Sequence, residues 1–269
     1  MKKNKLDLRD IPKVVQSVAT LSETVVASLF DAKKNDINGS FKRLFALSDM
    51  PKKYQDVALA ALSEMEHSKD PIHTVAHPGR MAYDLIKFLK KDPKALSTVD
   101  LRALTLAIPL HDLSRVQQPP TLYGALYGLV TEKQFAAKVA RSFMEAHGMN
   151  ESEDGELFNA VLTAVDEHTL ANTFDRKSPV SQWLYGLDCL DVLSRARIIE
   201  MDAYAKALAQ SWFFKPIVMW YKNSFLAIAK EFKFYQSVIE KEAKKRQPGA
   251  IAQLDKLKKK FGIPGKLKF

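Results

Sequence analysis

A histidine and an aspartate, His111 and Asp112, directly follow an apolar run at residues 104–110. If this run is helical, His111 lies on the same face as Leu104 and Ile108 and points into the core. A buried imidazole beside a buried carboxylate needs a compensating partner, and a divalent metal satisfies both groups. A core histidine capped by the neighbouring carboxylate explains the pair equally well, so the choice depends on the rest of the chain.

The spacing of apolar residues predicts an all-α fold. Only 10 of 269 residues are glycine, and apolar side chains recur mostly at helical intervals. A hydrophobic content of 46% and a mean hydropathy of −0.20 are typical of a soluble protein with a sizeable core. We divide the chain into an N-terminal helical extension at 1–70, a helical core at 71–211, and an aromatic helix with a basic tail at 212–269.

Cysteine usage and the N-terminal pattern predict a cytoplasmic protein. Cys189 is the single cysteine, which excludes an internal disulfide framework and a cysteine-based zinc site and suits a reducing compartment. The apolar stretch at 14–30 is interrupted by Ser, Thr and Glu23, so it is amphipathic and unlike a signal-peptide core.

Most of the net charge of +10 lies near the C-terminus. Residues 241–269 contain ten Lys or Arg against two acidic residues. A solvated basic tail is the simplest interpretation, and weak binding to nucleic acid or an anionic membrane is the alternative. A long helix predicted from Pro216 carries aromatic residues on more than one side, which suggests either that the chain covers it on several sides or that it contacts another chain, as in a homo-oligomer.

Local signals predict where several helices begin and end. Residues 1–70 are expected to form three helices, with breaks near 35–39 and at 49–51. Ser97 is expected to cap the helix that leads to His111, and Pro109 is expected to kink or end that helix.

Further polar residues fall on apolar helical faces. His73 and His77 are four residues apart, so they share a face if both are helical, and Arg80 follows one turn later. His168 lies on the apolar face of a helix predicted at 153–170. Taken alone, each of these histidines is better explained as a structural residue.

Two aspartates lie in a leucine-rich helix. Asp188 and Asp191 are three residues apart, so at least one carboxylate points into apolar surroundings. Asp191 is expected to pair with Arg195 one turn later, whereas Asp188 has no equally placed partner.

Four blocks of the sequence together resemble the HD-domain superfamily of metal-dependent phosphohydrolases. That pattern places a first His at the start of a helix, a His-Asp pair at the end of a following helix, and a later Asp in a Leu-rich helix. The corresponding blocks here are HPGRMAYDL, LHDLSR, AVDEHT and LDCLDVLSRARI. The resemblance spans about residues 71–200 and implies an HD-domain-like helical bundle.

The resemblance also implies a metal site. The ligands would be His77, His111, Asp112 and Asp188, holding one divalent ion from the set Mn, Fe, Co, Ni, Zn and Mg. Members with two metals usually carry a second His between the His-Asp pair and the pocket His. Here that region offers Glu132 and Gln134, with His147 beyond them, so a single metal is expected.

The same resemblance implies a catalytic set and a substrate. His73 would protonate the leaving oxygen, and Arg115 with Arg80 would hold phosphate oxygens, while His168 and Asp191 would contact substrate. The implied activity is hydrolysis of a phosphomonoester or phosphodiester in a nucleotide-type substrate by metal-activated water, with His73, Asp112 and Arg115 as the catalytic residues. The alternative is a degenerate HD scaffold that binds a nucleotide or a partner without turnover.

Overall fold

Every regular element in the described part of the chain is helical, as predicted from the apolar spacing. The structure, a computed structural model, describes residues 34–68, 72–116, 135–168, 175–200 and 232–260. Those residues form nine α-helices and a short 3-10 helix at Leu113–Arg115. The α-helices are α1 Lys34–Leu47, α2 Lys52–Glu66, α3 Ala76–Leu89, α4 Thr98–Leu110, α5 135–146, α6 Glu151–Glu167, α7 Pro179–Val192, α8 195–200 and α9 Ser237–Lys260.

Helix α4 lies at the centre of the bundle. It packs against α1, α2, α3, α6 and α7. From Leu101 to Leu110 every residue except Arg102 is buried, as expected for a helix enclosed by neighbours. The predicted cap is present, because Ser97 Oγ accepts a hydrogen bond from the backbone N–H of Asp100 at 3.0 Å.

Pro109 lies inside the last turn of α4, and the helix ends one residue after it. The helix continues to Leu110, and the N–H of His111 still donates to the carbonyl of Ala107 at 3.0 Å. Asp112 comes next and immediately precedes the 3-10 helix. The His-Asp pair therefore emerges at the buried end of the central helix.

The predicted break near 35–39 is wrong, because α1 runs through it without interruption. Gly39 within a helix costs about 1 kcal/mol relative to Ala. Burial of Phe41 and Leu44, both fully inaccessible, contributes about 1.5–3 kcal/mol each and outweighs that cost. The break predicted at 49–51 is present, and Asp49 adopts a left-handed conformation there with φ of 46°.

The hydrophobic core crosses the predicted domain boundaries. Phe41 from the N-terminal segment and Ile239 from α9 belong to the same buried cluster as Leu104 of α4. Helix α9 approaches α7 so closely that a Cβ at Gly186 would meet Ile239 Cδ1 at 2.9 Å. The described parts of the three predicted regions therefore share one core.

Some predictions fall on residues outside the described ranges. These are the first helix before residue 34, the loop at 117–121, residues 216–231 of the predicted aromatic helix and the last nine residues of the basic tail. The expected continuation of that aromatic helix to Ile239 is wrong, because residues 232–236 are not helical and α9 begins at Ser237. Within the described ranges, none of the helices combines the length and the apolar character needed to cross a bilayer.

Candidate metal centre

Four helices bring three histidines and two aspartates to one buried point. The contributors are His77 from the first turn of α3, His111 and Asp112 after α4, His168 at the end of α6, and Asp188 from α7. Each of the five residues is at most 8% exposed. All four metal ligands implied by the HD-domain resemblance are thus brought together.

The metal-binding atoms of four of these residues lie within contact distance of one another. The Nε2 atoms of His77 and His111 are 3.1 Å apart. Asp112 Oδ2 lies 3.2 Å from His111 Nε2 and 3.4 Å from His77 Nε2. Asp188 Oδ1 lies 3.4 Å from His77 Nε2.

The hydrogen bonds on the far side of each ring fix which nitrogen carries the proton. His111 Nδ1 lies 2.7 Å from the carbonyl oxygen of Ile108, which can only accept, so Nδ1 is the protonated nitrogen. His77 Nδ1 lies 2.7 Å from Asp191 Oδ2 and donates to that carboxylate. In the neutral rings, both Nε2 lone pairs therefore face each other and the oxygen of Asp112.

Such a set of converging acceptors requires a cation. Two lone pairs at 3.1 Å repel unless a proton or a metal ion lies between them. Two imidazole nitrogens and two carboxylate oxygens form a mixed donor set that suits a divalent transition metal. The residues present therefore fit the divalent ion implied by the resemblance.

His168 forms a second triplet with His111 and Asp112. The candidate ligand atoms of the three residues lie within 4.8 Å of one another, as do those of His77, His111 and Asp188. His168 Nδ1 faces the carbonyl of Val165, which leaves its Nε2 as a lone pair. His111 likewise has only Nε2 available, and one nitrogen binds one ion. The two triplets therefore cannot hold two separate ions that both use His111 as a ligand. The geometry favours a single metal with His168 as a fifth potential donor.

Asp191 supports the cluster from behind. It is fully buried, and besides His77 it accepts hydrogen bonds from Arg80 Nε at 2.6 Å and Arg80 Nη2 at 3.0 Å. The other edge of the Arg80 guanidinium is bound to Glu200 at 2.7 and 2.9 Å. Burial alone would raise the pKa of Asp191, but Arg80 and His77 hold it well below the ordinary value.

These contacts differ from the expectations for Arg80 and Asp191. Both were expected to contact substrate, yet each is committed to the other and to a further partner. The expected pair of Asp191 with Arg195 is wrong, because Arg80 from α3 occupies both carboxylate oxygens. This arrangement, a carboxylate that orients a metal-ligating histidine, is a common support in metal sites.

His73 and Arg115, the remaining predicted site residues, lie in segments next to the cluster. His73 precedes α3. Burial would raise the pKa of Asp112, but the charge of His111 and, to a smaller extent, that of His73 hold this pKa well below its ordinary value. Arg197 anchors the segment before His73 by donating to the carbonyl of Ile72. Arg115 is 3% exposed and lies in the 3-10 helix, and its backbone N–H donates to the Asp112 carbonyl at 2.8 Å.

Two functional features were missed by sequence reasoning. Glu200 was not selected as a partner of Arg80, and no periodicity relates residues 120 positions apart. His168 was selected only as a substrate contact, although its place on an apolar face was the signal that it points toward the other buried histidines.

The metal-free protein is expected to lose stability as pH rises above neutral. Burial disfavours the charged form of His111, but the carboxylate of Asp112 outweighs burial and raises the pKa of His111 from 6.5 to about 9. Stabilisation from the bound proton is therefore full below the unfolded-state pKa and lost as pH rises through the folded-state pKa. We expect the free energy of unfolding in chelator to fall by about 2 kcal/mol between about pH 6.5 and 8.5.

Urea unfolding in EDTA measures this dependence. The comparison variant is His111→Gln, which has no titrating ring, and His147→Gln at the exposed end of α5 is the control. Wild type and the His147→Gln variant should show the same slope, and the His111→Gln variant a flatter one. An equal slope in the His111→Gln variant would contradict the assignment.

Comparison of the chain with models of known families, with curated proteins and with solved structures found no match.

Proposed function

We propose that the protein is a metal-dependent phosphohydrolase that cleaves a phosphomonoester or phosphodiester bond in a nucleotide-type substrate. The observation that carries the proposal is the convergence of the His77 and His111 lone pairs with oxygens of Asp112 and Asp188 at a buried point. The order of these residues along the chain, which resembles that of the HD-domain superfamily, supports phosphoryl chemistry over other uses of such a site.

A divalent ion held by these residues would supply a Lewis acid for a phosphoryl oxygen and lower the pKa of a bound water. The protein's own contribution is to hold each imidazole in the tautomer whose Nε2 faces the ion. Asp191 keeps the proton of His77 on Nδ1, and the Ile108 carbonyl does the same for His111. Neither ring has to turn or move its Nδ1 proton to accept an ion, and His111, whose pKa is raised to about 9 in the metal-free protein, has only to release its Nε2 proton.

His73 and Arg115 are proposed to act on the substrate. His73 is only partly buried and lies near enough to influence the pKa of Asp112, so it can reach a leaving oxygen at the edge of the cluster and protonate it. The guanidinium of Arg115, on the turn after Asp112, would neutralise phosphate charge.

The test is metal-dependent release of phosphate or nucleoside. Purified protein is stripped with chelator and assayed with Mn²⁺ against nucleoside monophosphates, cyclic nucleotides and bis(p-nitrophenyl) phosphate. Release that requires metal and returns when metal is restored supports the proposal and identifies the substrate class. Inertness on every substrate with several metals, in protein that demonstrably binds those metals, would leave a scaffold that binds nucleotide without turnover.

A further inference from the structure

A cavity lies behind the metal cluster, between α1, α3, the junction of α7 with α8, and α9. It has a volume of about 540 Å³, within the range of small-molecule sites. The side chains and backbone that line it are Ile37, Ser40, Ala76, Gly79, Arg80, Tyr83, Asp84, Asp191, Leu193, Ser194, Arg195, Lys245, Arg246, Gly249, Ala250 and Gln253.

The lining carries an excess of positive charge. Four cationic side chains and two carboxylates face the cavity. Both carboxylates are already neutralised, since Asp191 is bound by Arg80 and Asp84 accepts from Arg246 Nη2 at 2.6 Å. Their charges are therefore not available to balance the remaining cations.

Arg195 and Lys245 are the cations that remain. Both are exposed, and neither forms an ion pair with another described residue. They approach the cavity from different helices, α8 and α9, so an anion between them would be held from two sides. The electrostatics of the cavity thus favour a phosphate or a comparable anion.

Most of the remaining wall is apolar, with Ser40, Ser194 and Gln253 as its uncharged polar members, and it includes an exposed aromatic ring. Tyr83 is 59% exposed on α3, although it borders a cavity that also contains Leu193 and Ala250. An exposed tyrosine beside an apolar wall is suited to stacking with a planar ring. A ligand that used both parts of the cavity would combine an aromatic body with an anionic end.

The cavity is separate from the metal cluster. None of the candidate metal ligands lines it, and the two sites meet only at Arg80 and Asp191. Among the described residues, Tyr83, Arg195 and Lys245 form no hydrogen bond or ion pair with the metal ligands, Asp191 or Arg80, so they can be changed without removing a bond of the cluster.

We propose that this cavity binds a small organic phosphate that carries an aromatic ring. The phosphate lies between Arg195 and Lys245, and the ring stacks on Tyr83. Binding needs no metal, so the proposal stands or falls independently of the phosphohydrolase activity.

Titration calorimetry of the full chain in EDTA tests the cavity, with ADP, pyrophosphate and adenosine as probes. ADP is expected to bind more tightly than either fragment. Arg195→Ala and Lys245→Ala should each weaken ADP binding about tenfold, and Tyr83→Ala about fivefold or more. Pyrophosphate binding should depend on the two cations and be unaffected by Tyr83→Ala.

Two variants serve as controls. Lys244→Ala removes an exposed lysine that neighbours Lys245 but is paired with Glu240 and does not line the cavity, so ADP affinity should be unchanged. Asp112→Ala disrupts the proposed metal site and should likewise leave ADP binding intact. Absence of ADP binding, an equal loss in Lys244→Ala, or a dependence on Asp112 would each overturn the proposal.

Discussion

Asp112→Ala is expected to remove the bound metal and to reduce metal-dependent phosphate release by about a thousandfold or more. Asp112 Oδ2 is the carboxylate oxygen nearest to His111 Nε2, at 3.2 Å, and lies 3.4 Å from His77 Nε2. The alanine variant keeps three of the four implied ligands, namely His77, His111 and Asp188, so Asp188 is the remaining carboxylate. The wild-type chain should bind about one divalent ion by elemental analysis, and the variant substantially less than one.

Asp154→Ala is the matched control for this measurement. Asp154 is also a buried aspartate, but it accepts from Lys53 at 2.8 Å and Tyr54 at 2.8 Å and lies outside the metal-binding groups. Its loss should lower stability while metal content and turnover per folded molecule persist. Retention of one ion and normal turnover by Asp112→Ala would exclude Asp112 as a ligand.

The burial of His111 at the end of α4 could be predicted because its signals were local. Helical period alone placed His111 on the face of Leu104 and Ile108, and the Ser97 cap fixed where α4 begins. These signals depend on residues within one or two turns of each other, which periodicity and capping rules address directly.

The support of the cluster could not be predicted in the same way. Asp191 was expected to choose the nearest cation, Arg195, at the i+4 position. In the fold, α3 packs against α7 and presents Arg80, which binds both oxygens of the carboxylate. The choice between the two arginines depends on helix packing and is not encoded in the spacing of α7.

The error at 35–39 has a similar cause. Gly39 and its polar neighbours indicate a break, whereas burial of the following face of α1 against α3 favours continued helix. Ile37 packs so closely on α3 that a Cβ at Gly79 would lie 2.5 Å from Ile37 Cγ1. Tertiary packing therefore overrides the local preference.

Asp191→Asn is expected to weaken metal binding about 10–100-fold and to lower the free energy of unfolding by about 3 kcal/mol or more. Every contact to the carboxylate oxygens from Arg80 and His77 is a donated hydrogen bond, at 2.6–3.0 Å. An asparagine side chain places an NH₂ group against these donors in either orientation. It also removes the negative charge that neutralises the buried guanidinium.

The orientation of the new amide determines the effect on the metal site. If its NH₂ faces His77, Nδ1 must accept and the ring proton moves to Nε2, which then cannot bind an ion. If its NH₂ instead faces Arg80 Nε, His77 keeps its proton on Nδ1, but two donors meet without an acceptor. The first orientation therefore weakens metal binding because it changes the tautomer of His77. Both orientations are expected to lower the free energy of unfolding.

Glu200→Gln separates the role of Asp191 from that of Arg80. Glu200 holds the outer edge of the same guanidinium but does not contact His77, so its loss should cost less stability and leave Mn²⁺ affinity nearly unchanged. Titration calorimetry with Mn²⁺ and urea unfolding measure the two effects. If Asp191→Asn and Glu200→Gln reduced Mn²⁺ affinity equally, the buried arginine and not the orientation of His77 would be the element that prepares the site.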